Sequence, residues 1–327
     1  MKQRSRLRSR FLAVLGVVIL AVLAALVIIG ARIPDFWATH IWAGGFIGKT
    51  PVLTPFPAFS NVEVFSLDDP NFHQTHYYLL GSDAGGRDLF ALVAKGAMPS
   101  LVLVLLALAV RMVIGVTAGF AIASGATTLR GVARAAGGWI AGFPYLALAV
   151  LVIQAFTGGP STTAQPGVGR TLAFVIAISV VGWRDIAEVV AGRIEWVQSQ
   201  PFSLGAKAVG SSGLDFFGRH VWPYLRPALM VELSFQAAAV LVLLAELGFL
   251  QYYLGGFTNY SEDTQGVPGF HLANTPELGQ LLSDVRMYAL RNQFFPVLVP
   301  AVALALAALA FEIIGRAFRG RSDLPIV

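Results

Sequence analysis

Hydrophobic residues run through this chain in long blocks, unlike the short alternating patterns of a soluble domain. The clearest block, 11–30, contains twenty uncharged, mostly apolar residues and follows a tail, 1–10, with five basic side chains. Twenty helical residues rise about 30 Å, which matches the hydrocarbon thickness of a bilayer. A secretory signal has a shorter apolar region and a small-residue cleavage site. We therefore expect a retained transmembrane helix at 11–32 rather than a removed signal.

Further apolar blocks predict five more membrane spans. Their approximate bounds are 99–124, 135–157, 171–190, 227–250 and 294–316. The block at 171–190 is the weakest, because its clean apolar run holds only 13 residues and must continue past Arg184 and Asp185. The predicted fold class is therefore all-α: a polytopic membrane protein with six transmembrane helices and both termini on the same side.

The positions of lysine and arginine predict how these helices are oriented. Fifteen of them lie in the tails and loops on the side of the termini, and seven lie on the other side. Because cytoplasmic loops are enriched in basic residues, both termini are expected in the cytoplasm, with the chain in the cell (inner) membrane. This topology divides the chain into a basic tail, the first helix, an extracytoplasmic segment, a transmembrane core and a second tail: 1–10, 11–32, 33–95, 96–316 and 317–327.

Two long loops interrupt the predicted core. The coupling segment, about 191–226, is cytoplasmic and contains helix-forming pieces separated by Gly- and Pro-containing turns. The loop at 251–293 is extracytoplasmic. Neither this loop nor the segment at 33–95 has a clear strand or helix pattern, so their folds stay open.

Composition supports a membrane protein and excludes several kinds of chemistry. The chain is 56% hydrophobic and only 13% charged, whereas a soluble domain carries about 25% charged residues. It has no cysteine, which excludes disulfides, iron–sulfur clusters and cysteine-ligated zinc.

One segment resembles a phosphate-binding loop but departs from its pattern. Residues 44–50, GGFIGKT, have Ala43 where the first glycine of G-x-x-x-x-G-K-[ST] belongs, and no clear helix follows. The segment also lies on the predicted outer side, away from cytoplasmic ATP. We expect no nucleotide site in this chain, and hence no ATP hydrolysis by the chain itself.

A second weak pattern could ligate a metal. His73 and His76 follow Asp68 and Asp69, but the four lack a defined ligand spacing. A solvated loop is the favoured interpretation, so no metal site is expected. Hydrolase motifs of the HExxH and GxSxG types are absent from the sequence.

Polar residues inside the predicted spans are candidates for function, because burying them in lipid is costly. Arg111 lies near the middle of the second span. In the fifth span one helix face carries Glu232, Gln236, Ala239, Leu243 and Glu246. Two interpretations stay open for Arg111, Glu232, Gln236 and Glu246: they line a translocation path, or they form a static pairing that ties helices together.

The cytoplasmic segment carries the most informative pattern. Residues 202–210, FSLGAKAVG, are followed by RHVWP at 219–223, and this arrangement resembles the EAA loop of ABC-importer permeases. Residues 81–88, GSDAGGRD, match the G-T-D-x-x-G-R-D signature of the C-type permease of peptide and nickel importers. Further matches are Phe143-Pro144, Val181-Gly182-Trp183, Ala245-Glu246, and Pro276 with Gly279. Together they cover about residues 76–321.

This resemblance implies a type I ABC importer permease fold with a cytoplasmic coupling helix. Its coupling residues would be Gly205, Ala206, Lys207, Ala208 and Gly210. Its signature residues would be Gly81, Asp83, Gly86, Arg87, Asp88, Pro144 and Pro223. The implied partners are a second permease, two ATPase subunits that bind ATP and Mg, and an extracytoplasmic substrate-binding protein. The chain itself would need no cofactor and would carry peptides or a related small solute.

The chain departs from the family pattern at informative positions. Leu204 stands where the EAA glutamate belongs, Gly205 replaces the next alanine, and Leu278 replaces a tryptophan. The enlarged outer segments suggest an adapted docking surface for a binding protein, or an unusual substrate. Three alternatives stay open: an ion-driven secondary transporter that needs no ATPase, a membrane-embedded enzyme or assembly subunit, and a coupling segment that is only an interfacial helix.

Overall fold

A computed structural model describes residues 2–66, 73–123, 127–157, 168–211, 213–260, 269–274 and 276–319. Most of these residues are helical. The described α-helices are, in chain order, α1 (Lys2–Arg32), α2 (Phe36–Thr39), α3 (Leu89–Ala123), α4 (Thr127–Ala141), α5 (Tyr145–Thr157), α6 (Val168–Ser199), α7 (Pro201–Ala208), α8 (Gly213–Phe216), α9 (Trp222–Phe249), α10 (Val285–Leu290) and α11 (Phe295–Arg319). A π-helical turn, Phe217–Val221, leads into α9, and a 3₁₀ turn, Gln280–Leu282, precedes α10.

Helices occupy all six positions at which the sequence predicts a span. Four segments in the described part are long and apolar enough to cross a membrane on their own: Phe11–Arg32, Leu89–Ala123, Phe217–Phe249 and Phe295–Arg319. A fifth is reached if α4 and α5 count as one span. The remaining helix, α6, falls short of that criterion because Arg170, Arg184 and Asp185 bound its apolar run. The chain is thus a mostly helical protein with four to five candidate membrane spans.

The predicted span at 135–157 is bent rather than straight. Two helices, α4 and α5, cover this region and meet at an angle of 99°. The break falls at 142–144, immediately before α5. Pro144 lacks a backbone N–H, and its ring disfavours helical geometry at Phe143, so a continuous helix is disrupted here.

The all-α expectation also needs correction, because both outer segments contain strands. The first folds into an antiparallel sheet of order β2-β1-β3-β4, formed by β1 (Trp42–Ile47), β2 (Thr50–Val52), β3 (Ser60–Ser66) and β4 (His73–Tyr78). The second contains a hairpin, in which β5 (Phe257–Tyr260) pairs with β6 (Phe270–Ala273). In β3 the side chains alternate, with Val62 and Val64 buried and Asn61 and Glu63 exposed.

Several apolar clusters hold the described part together, and two of them are the largest. One lies among the long helices and includes Leu103, Ile153, Phe174, Val240 and Leu304. The other joins the sheet to α2 and to the first turns of α3. The strands therefore cover one end of the helical bundle, hereafter the sheet end. Helices α7 and α8 pack at the opposite end, hereafter the α7 end, against the last turns of α3 and α6.

Candidate functional site

The segment at 81–88 forms a compact polar structure just before α3. Asp83 accepts hydrogen bonds at Oδ1 from the backbone N–H groups of Gly85 (3.0 Å) and Arg87 (2.9 Å). Its Oδ2 receives the Arg87 guanidinium, at 2.7 Å from Nε and 2.6 Å from Nη2. Both side chains are buried. Gly86 has φ +73°, and a Cβ there would lie 2.8 Å from the Cβ of Trp42, so only glycine suits this position.

This signature segment ties the elements of the sheet end to one another. The Arg87 guanidinium also donates to the carbonyl of Ala273 in β6. The backbone N–H of Ala84 donates to the Tyr288 hydroxyl in α10, over 3.0 Å. The Tyr78 hydroxyl in β4 donates to the carbonyl of Gly86 over 2.9 Å. Burial and the nearby carboxylate of Asp83 hold the pKa of Tyr288 above its usual value, so its hydroxyl stays protonated.

Asp88 connects the same segment to α3 and to the sheet. Its Oδ1 accepts from the backbone N–H of Phe90 at 2.8 Å, which caps the first turn of the helix. Its Oδ2 lies 2.8 Å from Nε2 of His76, whose ring stacks on Trp37 at 3.7 Å. His76 is thus tied to a single carboxylate. Asp68 and Asp69 lie outside the described residues, and the described part holds no cluster of three or more metal-ligating side chains.

Residues 44–50 cover the end of β1, the turn at Gly48 and Lys49, and the start of β2. Ile47 pairs with Thr50 and Gly45 pairs with Val52, so a strand follows Lys49 where a phosphate-binding loop has a helix. This placement agrees with the sequence interpretation of the segment as a misleading match.

A buried polar centre joins the long helices about midway along their length. Arg111 of α3 donates twice to the carbonyl of Ile178 in α6, over 3.0 Å from Nε and 2.6 Å from Nη2. Its Nη1 donates to Oε1 of Gln236 in α9. The amide of Gln236 donates in turn to Glu232 (2.9 Å) and to Asp185 (3.1 Å). Arg111 and Gln236 are almost completely buried.

Tyr145 extends this centre to α5, because its hydroxyl lies 3.2 Å from a carboxylate oxygen of Asp185. Four helices therefore meet in one hydrogen-bonded network. Sequence reasoning identified Arg111, Gln236 and Glu232 but missed Asp185 and Tyr145. The signal for Asp185 was its position directly after the apolar run of α6.

Glu246 lies apart from the polar centre. It is exposed near the end of α9, about 15 Å along the helix from Gln236. The predicted common face is divided accordingly: Gln236 and Leu243 are buried, Glu232 is half-buried, and Ala239 and Glu246 are exposed on the described chain.

Glu277 is a buried acid that sequence reasoning did not single out. It is 2% exposed and lies between the sheet end of α3 and the turn before α10. Its Oε1 accepts from the N–H of Gly279 (2.9 Å) and from Ser100 Oγ (3.3 Å), whereas Oε2 has no hydrogen-bond partner among the described residues. Burial raises the pKa of Glu277 to about 7, and the hydrogen bonds only partly oppose that shift. The sequence feature that could have identified Glu277 is its position within the Pro276–Gly279 motif.

The segment with the EAA-like pattern forms a short helix at the α7 end. Ser203 is buried, whereas Leu204 is 69% exposed and Val209 is 90% exposed. The backbone N–H of Ser211 donates to the carbonyl of Ala206 over 3.0 Å, and Gly210 has φ +93°, so the chain turns sharply after α7.

The predicted coupling residues therefore share one small element. Gly205, Ala208 and Gly210 are exposed and Ala206 is half-buried. Lys207 belongs to α7, but its side chain lies outside the described part. Of the two signature prolines, Pro144 accepts from the N–H of Leu148 at the start of α5, and Pro223 lies in the first turn of α9.

Fold and site define a polytopic, mostly helical membrane protein with a sheet-capped end and a short exposed helix at the other end. In sequence, the chain is similar to known permeases of transport systems. The chain is 24% identical over 289 residues to the dipeptide transport system permease protein DppC of Bacillus subtilis (strain 168), covering 85% of this chain and 78% of that protein. It is 25% identical over 254 residues to the protein of the same name from Alkalihalophilus pseudofirmus, covering 74% and 70%.

A third relative is named for another substrate. The chain is 24% identical over 270 residues to the glutathione transport system permease protein GsiD of Escherichia coli O1:K1 / APEC, covering 79% of this chain and 76% of that protein. No protein-family model matches the sequence. The resemblance to peptide-importer permeases that the motifs predict is confirmed, and it supports a permease role.

Proposed function

We propose that this chain is one permease subunit of an ATP-driven importer for peptides or a related small solute. The observation that carries the proposal is similarity over most of the chain to proteins named as dipeptide and glutathione transport permeases. In this proposal α1, α3, α6, α9 and α11 each cross the inner membrane and the bent pair of α4 and α5 supplies the sixth crossing, with the termini and α7 in the cytoplasm. The sheet end then faces outward, in agreement with the distribution of basic residues.

The chemistry of energy supply belongs to other chains in this proposal. Two ATPase subunits bind ATP and Mg, and each receives a coupling helix from one of two permeases. Helix α7 suits this role because the exposed apolar side chains of Leu204 in the helix and of Val209 just after it can seat in a groove of a partner. Closure of the ATPases would draw the coupling helices together and open the bundle toward the outside, where a substrate-binding protein delivers the solute.

The departure at Leu204 defines the kind of contact that α7 can make. An exposed leucine cannot form the ion pair that a glutamate would form, so docking here relies on apolar contact, on shape and on backbone groups. The matching groove on the ATPase is accordingly expected to be apolar opposite Leu204.

One observation favours a second candidate, an ion-driven transporter that works alone. The network of Arg111, Gln236, Glu232 and Asp185 places charged groups between packed helices, as proton or ion relays do. A static tie between helices explains the same contacts.

The composition of the native complex tests the proposal. The tagged chain is purified from its own membrane in mild detergent, and the co-purifying proteins are identified by mass spectrometry. The proposal predicts a second permease and an ATPase pair in stoichiometric amounts. A lone chain or a homodimer that persists across several detergents and transports in liposomes would contradict it.

A further inference from the structure

Helix α4 has an exposed apolar stripe that the bundle does not cover. Val132 is 64% exposed, Trp139 is 76% exposed, and Ala136 lies between them on the same side of the helix. The adjacent side packs against α3 and α6 through Ala133 and Ile140. The stripe is therefore a separate face, turned away from the contacts that hold α4 in place.

The opposite face of α4, hereafter the polar face, carries Arg134 and two exposed glycines. Gly131, Arg134 and Gly138 are exposed there, roughly 80° to 160° around the helix from Val132 and Trp139. Arg134 borders a cleft between α4 and α6, together with Arg184, Glu188 and Glu195. Within that cleft Arg184 pairs with Glu188 over 2.6 Å, and Arg130 beside it pairs with Glu195 over 3.5 Å. Three guanidinium groups, including that of Arg130, therefore stand beside two carboxylates. Arg134 is the arginine that neither ion pair includes, so this region has a net positive charge.

The depth at which α4 contacts α6 marks a membrane boundary. It packs where the apolar run of α6 ends at Trp183 and charged residues begin at Arg184. Tryptophan is enriched at the interface between lipid and water, and two tryptophans, Trp139 and Trp183, lie in this region. The 99° bend at 142–144 turns α4 across the axis of α5 at this level.

We propose that α4 is an interfacial helix that binds the anionic phospholipid surface at the α7 end. Its stripe of Val132, Ala136 and Trp139 inserts among the acyl chains, and Arg134 contacts headgroup phosphate. A helix with one apolar and one basic face adopts this position in a bilayer. Lipid is the occupant because α4 directly connects two bundle helices whose own surfaces are apolar and exposed, at Val113 in α3 and Leu151 in α5.

The inference depends on the membrane placement in the proposed function, so its test must separate the two. The chain has no cysteine, which allows one spin label at a time without background. Single cysteines replace Val132 and Trp139 on the stripe and Gly131 and Gly138 on the polar face. Both glycines have open space for a side chain. Labels at Val17 in α1 and Val113 in α3 report whether the bundle itself lies in lipid.

The full chain is reconstituted in phosphatidylcholine vesicles with and without phosphatidylglycerol, and collisions with oxygen and with a water-soluble nickel complex are measured. We expect the stripe labels to favour oxygen and the polar-face labels to favour nickel. Stripe labels shielded from both reagents would show that protein covers the stripe, and nickel access would show that it faces water. Either result overturns the inference if Val17 and Val113 still favour oxygen. If those two also lose oxygen access, the membrane placement itself fails.

The basic contact is tested with one further pair of variants. Phosphatidylglycerol should shift the stripe labels toward oxygen, and Arg134→Gln should abolish that shift. Arg219→Gln, which removes an exposed arginine at the same end but outside α4, should leave it unchanged. A shift that is absent in the unmodified chain, or that survives Arg134→Gln, would contradict headgroup binding by Arg134.

Discussion

Arg87 and Asp83 form a buried ion pair, with Nη2 of the arginine 2.6 Å from Oδ2 of the aspartate and both side chains at most 6% exposed. The same guanidinium reaches the carbonyl of Ala273, which lies 186 residues further along the chain. One side chain therefore holds the β5–β6 hairpin against the segment that begins α3. This relationship gives the signature segment a structural role that is independent of any partner.

Arg87→Ala should destabilise the sheet end strongly. Removing one partner of a buried ion pair leaves an uncompensated charge and costs about 3–5 kcal/mol. The chain offers a matched control in Arg219 and Asp215, which are also four residues apart and 2.6 Å from each other but are exposed. Arg219→Ala should cost at most about 1 kcal/mol. The measurement is unfolding of both variants in detergent, and equal losses would contradict a structural role for the buried pair.

Gly182→Ala should disturb the polar centre. A Cβ at Gly182 would lie 2.3 Å from the Arg111 guanidinium, so the arginine must leave its contacts with Ile178 and Gln236. Overpacking of this kind costs about 1–3 kcal/mol. Gly192→Ala is the control, because the same helix has open space there and alanine favours helix by about 1 kcal/mol. The unfolding temperature should fall for Gly182→Ala and should not fall for Gly192→Ala. Equal unfolding temperatures for the two variants would show that Arg111 can be displaced without loss of stability.

Glu277 predicts a pH dependence of stability. Its folded pKa of about 7 lies above the usual glutamate pKa of 4.5, so the folded protein binds a proton more tightly than the unfolded chain does. Its contribution to stability is thus complete below about pH 4.5 and is lost as the pH rises through 7. Glu277→Gln, which mimics the protonated acid, should flatten the decline in unfolding temperature between pH 5 and 8.

The control for this titration is Glu246→Gln, which neutralises an exposed glutamate near the end of α9. It should leave the pH profile as in the unmodified chain. A profile that rises with pH, or one that Glu277→Gln leaves unchanged, would show that Glu277 is ionised in the folded protein.

Variants of α7 separate coupling from assembly. Gly210→Pro is incompatible with φ +93°, and a tryptophan at the half-buried Ala206 would distort the surface of α7. Both should abolish uptake in membranes while the chain remains inserted and bound to its second permease. Thr128→Trp, on an exposed position of α4 at the same end, is the control and should transport normally. Full uptake by the α7 variants would contradict the assignment of α7 as the helix that docks on the ATPase.

Helix positions could be predicted from the sequence because long apolar runs dominate it. Pro144 could have predicted the break between α4 and α5, but the apolar residues on both sides of it favoured a single helix. The strands were missed because their alternation is short: β3 offers only Val62 and Val64 inward against Asn61 and Glu63 outward. So short an alternation can be assigned to a strand only when the neighbouring strands β1 and β4 are known.

The site shows a similar division. The motif at 81–88 marked Asp83 and Arg87, yet their shared partner, Ala273, is too distant in sequence to be inferred from spacing. Arg111 and Gln236 stood out as polar residues in apolar runs, and they are in contact. Glu246 stood out for the same reason but lies exposed at the far end of its helix. Helical periodicity assigns a face, and it cannot assign which neighbours that face meets.

ATP-driven uptake by the purified complex tests the central claim most directly. The chain and its co-purified subunits are reconstituted in liposomes with the binding protein, and entry of a labelled dipeptide is followed. A permease of an ATP-driven importer requires hydrolysable ATP, so uptake should stop with a non-hydrolysable analogue and should not respond to an ion gradient alone. Uptake by this chain without any ATPase, driven by a proton or sodium gradient, would contradict the account.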